Sequence, residues 1–302
     1  MKHLLKLMDL TSEEITEILN IADQLKYEKK HGIEHHILSG KTLGMIFEKS
    51  STRTRVSFEV GMYDLGGSAL FLSSRDLQIG RGEPVEDTAR VLSRYLDGIM
   101  IRTFAQSEVE DLAKYGNIPI INGLTDYCHP CQVLADLMTI REHKGSLAGK
   151  KLCYIGDGNN MTNSLIVGGI KTGMKVSVAC PKGYTPDAEI MKWASENGEF
   201  LCTDNILEAA ADADVLYTDV WASMGQEAEA EARRKVFTGY QINDSVVAVA
   251  KSDVMVQHCL PAHREEEITA KVFEAHANEI FDEAENRLHA QKAVLVKCLG
   301  RK

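Results

Sequence analysis

The stretch Lys41-Thr-Leu-Gly-Met-Ile-Phe47, followed by Glu48-Lys-Ser-Ser-Thr-Arg-Thr-Arg55, decides the architecture. Residues 42–47 are a short apolar run of the length of a strand, and they predict a buried one. The Ser/Thr cluster at 50–54 is a helix start signal, so the next helix opens there and stops near Gly66-Gly67. Strand passing directly into helix is the unit of a parallel α/β sheet.

Working outward, the same alternation recurs. Upstream, Thr11 and Glu14 have capping-box spacing, and Ile15, Ile18, Leu19, Ala22 and Leu25 follow helical spacing, predicting a helix over 12–29. Downstream, strands are predicted at 69–72, 98–101 and 118–122. Helices are predicted from Pro84 through Tyr95 and from Pro130 through Glu142. The polar stretch Lys144-Gly-Ser-Leu-Ala-Gly149 marks a domain boundary. Beyond it come strands at 151–155, 175–179, 215–218 and 254–258, and helices at 160–172 and 187–197. A last helix begins near Glu283 and is expected to fold back onto the first domain. The expected fold is α/β, with two domains, each a parallel sheet flanked by helices.

Composition narrows the class. At 302 residues, with 44% hydrophobic and 26% charged residues, the chain is long enough for two apolar cores. Six Pro and 23 Gly exclude a fibrous or low-complexity chain. A formal charge of −10 argues against nucleic acid or an anionic lipid surface as partner, but not against a local anion pocket. Lys6 and Asp9 interrupt any signal-peptide core, and no apolar run is long enough for a membrane span, so a cytoplasmic protein is expected. Seven cysteines in such a chain are expected to be reduced.

In parallel sheets ligands bind beyond the C-terminal ends of strands. After the first strand, Ser51, Thr52, Arg53 and Thr54 offer hydroxyls, a guanidinium and a helix N-terminus, a set suited to an anion or to ordinary capping. Arg102 follows the strand at 98–101. His129 precedes Pro130 at a helix start, where imidazolium is disfavoured. Cys128 and Cys131 lack a second pair at metal-ligand spacing. Gly156-Asp-Gly-Asn-Asn-Met161 resembles half of a dinucleotide fingerprint, but Met161 stands where its third Gly belongs and no acidic residue ends the next strand. Those glycines are instead expected to let a ligand approach Asn159 and Asn160. Asp219 and Ser223 follow the strand at 215–218 and could recognise an ammonium group, or simply cap a helix at 226–235. Cys259, between His258 and His263, could be a nucleophile or a thiol packed beside a ligand. The first half thus collects anion-binding groups, and the second half groups suited to a zwitterion.

Five co-linear strings carry a resemblance: Phe47-Glu-Lys-Ser-Ser-Thr-Arg-Thr-Arg55, His129-Pro-Cys-Gln132, Asp219-Val-Trp-Ala-Ser-Met-Gly225, His258-Cys-Leu-Pro261 and Glu283-Ala-Glu-Asn-Arg287. They span nearly the whole chain, and the sequence resembles the aspartate/ornithine carbamoyltransferases, on the ornithine branch. The resemblance implies a carbamoyl phosphate-binding domain at 1–145, joined by a C-terminal helix at 285–302, an ornithine-binding domain at 146–284, and an active site in the cleft between them. It implies that Ser51, Thr52, Arg53 and Thr54 hold the phosphate, and that Arg102 spans phosphate and carbonyl oxygen. His129 and Thr54 would donate to that oxygen. Gln132 and the Leu260 carbonyl would hold the carbamoyl NH2, with Arg287 closing the subsite and Gln78 touching carbamoyl phosphate in a neighbouring subunit of a trimer. Asn160, Asp219, Ser223 and Met224 would bind ornithine. Cys259 would contact the carbamoyl group and sit beside the δ-amine, orienting rather than attacking. Arg102, His129 and Cys259 are the implied catalytic set. No cofactor and no metal are implied. A transferase for another amine, an NAD-dependent oxidoreductase and a non-catalytic protein on the same fold are the competing readings. Asp219 beside Ser223 and Met224 favours a free α-amino group over an acetylated one.

Overall fold

The computed structural model describes residues 1–78, 82–222 and 229–300. The chain forms two compact units. One comprises Met1–Ala135 with Asn286–Lys302, the other Asp136–Glu285. The change-over falls inside two helices, ahead of the polar stretch at 144–149.

In the first unit, α1 (Ser12–Lys30) starts as its sequence requires. The Thr11 side chain accepts from Glu14 N–H and the Glu14 carboxylate accepts from Thr11 N–H. Strand β1 (Thr42–Phe47) leads into α2 (Thr52–Asp64), whose N-cap is Ser51. Then follow β2 (Ser68–Ser73), α3 (Val85–Leu92), β3 (Gly98–Arg102), α4 (Gln106–Tyr115), β4 (Ile120–Leu124) and α5 (Pro130–Lys144). The four strands are parallel in the order β2-β1-β3-β4. Ile46, Ile99, Ile101 and Ile120 build its core with Ala89 of α3 and Val109 and Leu112 of α4.

Three sequence-predicted boundaries shift here. The helix entering at Pro84 ends at Leu92 rather than Tyr95. Its last turn tightens, Arg94 N–H donating to Val91 O and Tyr95 N–H to Leu92 O. Strand β4 starts at Ile120, not 118, because Pro119 has no N–H for the ladder. It runs on to Leu124 past a register shift opposite Ile101 and Arg102. Arg102 is the last residue of β3, not the first after it. Helix α4 goes beyond the sequence reading altogether.

The second unit begins in α5 and continues with β5 (Lys151–Ile155), α6 (Asn160–Lys171), β6 (Lys175–Ala179), α7 (Ala188–Asn197), β7 (Phe200–Thr203), α8 (Ile206–Ala210) and β8 (Val215–Thr218). Then come α9 (Ala230–Phe237), α10 (Asp244–Val249), β9 (Met255–His258), α11 (Ala270–Ala275) and α12 (Ala277–Leu299). The parallel order is β7-β6-β5-β8-β9. Cys153, Ile155, Leu216, Val256, Ile268 and Phe273 lie in its core. Helix α12 begins at Ala277, six residues before the sequence-predicted start, because buried Ile280 and Glu283 already continue its inward face. Its residues from Asn286 onward belong to the first unit.

Each sheet reverses its winding once, between β1 and β3 in the first unit and between β5 and β8 in the second. These are the topological switch points, where an open α/β sheet leaves a crevice at its carboxyl edge. The candidate residues follow these strands: 51–54 after β1, Arg102 ending β3, 156–160 after β5, and Asp219 after β8.

Gly158 corrects one expectation. A Cβ there would fall on the backbone of Thr185 and Pro186, so this glycine serves close packing of the turn after β5, not ligand approach. Gly158→Ala should therefore cost about 2 kcal/mol of stability through overpacking. Urea denaturation checks this, and an unchanged midpoint would contradict it.

Candidate active site

The first unit gathers its candidate residues around α2, β3, α5 and α12. Ser51 Oγ caps α2, accepting from Thr54 N–H at 3.2 Å and donating to Thr54 Oγ1 at 3.0 Å. Thr54 is fully buried, while Thr52 is exposed and Arg53 half-buried. Arg102 is paired in register with Phe47, so β1 and β3 carry the Ser51–Thr54 turn and the Arg102 guanidinium on one edge. His129 and Gln132 sit at the start of α5, both buried. Arg287 arrives from α12 and is also buried. Its Nη1 donates to Gln132 Oε1 at 2.6 Å and its Nη2 to Thr54 Oγ1 at 3.2 Å. Gln291, one turn on, accepts from Arg287 Nε and Nη2 and donates to Ser57 Oγ, fixing the guanidinium from behind. That outer support had no signal in the sequence beyond the four-residue spacing.

Charge follows from this packing. Burial, then Arg287, Arg102 and Arg53, hold His129 well below the usual imidazole range. The sequence reading assigned a neutral ring to a helix N-terminus, whereas burial and three guanidiniums dominate. Three guanidiniums around one neutral ring are a donor set that could hold a multiply charged anion. Gln78 lies on the exposed loop after β2. The Cys128 and Cys131 thiols are both buried and pushed up to about 12, Cys128 Sγ lying near Leu5 O and Cys131 Sγ near Asn122 O.

In the second unit the centre is Asp219, which is buried at the end of β8. Its Oδ2 accepts from Asn159 Nδ2 at 3.1 Å, across the β5–β8 switch point. Its Oδ1 accepts from Cys259 Sγ at 3.1 Å and from Val220 N–H at 2.8 Å. Asn159 also caps α6, and Asn160 is the first residue of that helix. Burial and the Asp219 carboxylate push the Cys259 thiol well up, so it is a protonated donor and not a thiolate nucleophile. Leu260 takes the left-handed conformation, φ 57°, which residues with side chains seldom adopt. Its N–H donates to His258 Nδ1 at 2.9 Å, leaving the ring proton on Nε2, which lies 3.0 Å from Glu267 Oε1. Ser223 and Met224 lie outside the described residues.

An unforeseen buried ion pair supports this half. Arg233 of α9 donates to Asp157 at 2.8 Å and to Trp221 O at 2.9 Å, and it lies over the Tyr184 ring. It ties the turn after β5 to the segment after β8. The helix that sequence places at 226–235 is α9, beginning at Ala230.

Fold and donor sets define a doubly wound α/β protein with an anion half-site in one unit and a carboxylate–thiol half-site in the other. Residues 2–142 match the carbamoyl-P binding domain of aspartate/ornithine carbamoyltransferase, and residues 148–298 match its Asp/Orn binding domain. The chain belongs to the aspartate/ornithine carbamoyltransferase family. It is 58% identical to an ornithine carbamoyltransferase of Oceanobacillus iheyensis, covering 98% of this chain and 94% of that one. It is 56% identical to the anabolic ornithine carbamoyltransferase of Pyrococcus furiosus over 99% of this chain and 96% of that one. The solved structure of a Pyrococcus furiosus ornithine carbamoyltransferase superposes with a TM-score of 0.95 at 55% identity, covering 100% of this chain and 98% of that one.

A neutral His129 has a linkage consequence. In the unfolded chain the imidazole binds a proton as pH falls through its ordinary value of 6.5, and in the fold it does not. It therefore makes stability fall as pH drops below that value. His129→Gln should flatten this slope, and the ring resonances of His129 should not titrate over about pH 5–8. A normal titration of that ring would contradict the assignment.

Proposed function

We propose that this protein transfers the carbamoyl group of carbamoyl phosphate to the δ-amine of L-ornithine, giving L-citrulline and phosphate. The observation that carries this reading is the convergence of Arg53, Arg102 and Arg287 on a neutral His129 in the unit whose family model is named for carbamoyl phosphate. The anabolic name of the Pyrococcus furiosus relative supports citrulline synthesis, and thus arginine biosynthesis, as the direction.

The roles proposed are those that the family resemblance implies, and the donor and acceptor inventories support them. Ser51, Thr52 and Arg53 bind phosphate at the α2 N-terminus, where free N–H groups and the helix dipole favour it. Arg102 spans phosphate and carbonyl oxygen. Thr54 Oγ1 accepts from Ser51 and Arg287, which leaves its own proton to donate to the carbonyl oxygen. His129, uncharged, donates to the same oxygen. Gln132 Oε1 and the Leu260 carbonyl accept from the carbamoyl NH2. Asp219 receives the α-ammonium of ornithine, with Asn160, Ser223 and Met224 around the amino-acid end. Cys259, held by Asp219, contacts the carbamoyl group and orients the δ-amine.

The δ-amine attacks as the free base. Its lone pair forms the C–N bond while the carbonyl oxygen takes up negative charge, and the C–O bond to phosphate then breaks. The leaving phosphate accepts the amine proton. The δ-amine is ordinarily protonated at neutral pH, so the rate should rise with pH until that proton is lost in the complex. Exposed Leu70 and Phe71 on edge strand β2, with exposed Val56 and Tyr63 on α2, support association along this edge of the sheet. A trimer, in which Gln78 serves a neighbouring subunit's site, is the assembly proposed. The proposed compartment is the cytoplasm; among the described residues no helix is long and apolar enough to cross a membrane.

The test is product formation from carbamoyl phosphate with ornithine, putrescine, N-acetylornithine and aspartate. Citrulline from ornithine, with little turnover of the others, is expected. Preferred turnover of another amine would refute the assigned acceptor. Arg102→Leu should lower kcat by roughly 10²–10³, the effect of removing one oxyanion donor. A kcat near that of the parent would remove Arg102 from this role.

A further inference from the structure

Two buried carboxyl groups stand behind the amine half-site, and the mechanism uses neither. Glu283 of α12 and Asp136 of α5 are both fully buried in the second unit. Their side chains are hydrogen-bonded to each other. Two carboxylates cannot hydrogen-bond without a proton, and two buried like charges in contact repel strongly. Glu283 also engages the strand ends that carry the site. Its Oε2 accepts from His258 N–H at 2.9 Å, and its Oε1 from Tyr217 Oη at 3.2 Å. Gln257 Nε2 donates to Asp136 O at 3.1 Å, tying α5 to β9 as well.

We propose that Glu283 and Asp136 share a single proton, and that the neutral Glu283 is the positioning residue that holds the His258–Pro261 turn in place. The turn carries Cys259 and the left-handed Leu260, so its anchor fixes where the thiol and the Leu260 carbonyl are presented. The inference concerns the amine half-site assigned above and its kinetic part rests on that assignment.

Burial and Asp136 favour the neutral form of Glu283, whereas the hydrogen bonds from Tyr217 Oη and His258 N–H favour the charged one. Asp136 faces it from α5, Tyr217 from β8, and Cys259 from the turn after β9, where that thiol also meets Asp219; Glu279 lies on its own helix and accepts from Val256 N–H and His276. The His258 imidazole is turned to Leu260 and Glu267 instead. Burial first, then Asp136, hold the Glu283 carboxyl well above the usual glutamate range. A second negative charge there would lie behind Asp219 and Cys259 and weaken the thiol's donation.

Glu283→Gln is the informative variant because its amide reproduces the protonated acid. Oε1 accepts from His258 N–H, while Nε2 donates to Asp136 and to the Tyr217 hydroxyl, which turns to accept. Its kcat/KM for ornithine should stay within about twofold of the parent. Glu283→Ala leaves the His258 N–H and Asp136 without their partner, and kcat/KM should fall about tenfold or more. Infrared spectra of the folded protein at neutral pH should show a protonated-carboxyl stretching band that Glu283→Gln abolishes. Stability gives a third readout. The folded chain keeps this proton and the unfolded chain releases it, so parent stability falls as pH rises above the ordinary glutamate range, and Glu283→Gln should flatten that fall. Should Glu283→Ala fail to fold, the Gln variant still decides. Absence of the infrared band, or a Gln variant as impaired as a charge loss would make it, overturns the proposal. If the parent itself made no citrulline, the functional reading would fail, while the band and the pH slope would still decide the shared proton.

Discussion

A buried imidazole beside three guanidiniums leaves no place for a further positive charge. That constraint keeps His129 a neutral donor. Arg287 makes the constraint structural. Its guanidinium is spent on Gln132 and Thr54, so α12, α5 and α2 are aligned by the same group that contributes charge. Gln291 and Ser57 hold the guanidinium from the far side, which limits how far it can retreat when no ligand is bound.

The second unit solves the converse problem. Asp219 is a buried carboxylate whose partners, Asn159, Val220 N–H and the Cys259 thiol, are all neutral. In both units the groups sit at the point where the sheet reverses its winding, which explains why residues far apart in sequence meet. Asn159 and Asp219 are sixty positions apart yet lie beyond neighbouring strands β5 and β8.

Much of this was legible in the sequence. Strands β5, β6 and β8 match their expected ranges because each is a short apolar run with clear punctuation. The capping box at Thr11 and the helix starts at Ser51 and Pro130 likewise announce themselves through local chemistry. Short α4 and edge strand β7 carry weak local patterns, and the far packing of their apolar residues decides them. The site divides the same way. Ser51 to Thr54, Arg102, His129 and Asp219 follow strands and could be found by asking what stands at strand ends. Arg233, Gln291, Asn159 as partner of Asp219, and the Asp136–Glu283 contact depend on tertiary neighbours, and no local spacing reveals them. The glycine at 158 shows the opposite error, a residue with a ready functional reading whose constraint is steric.

The two half-sites differ in charge and in the unit that builds each, so they are expected to bind their ligands separately. Titration of phosphate into the parent and into Asp219→Asn, alongside the ornithine KM of each, tests this expectation most directly. The phosphate Kd should stay within about twofold, and the ornithine KM should rise about tenfold or more by loss of a charged hydrogen-bond partner. Parallel loss of phosphate and ornithine affinity in that variant would contradict it.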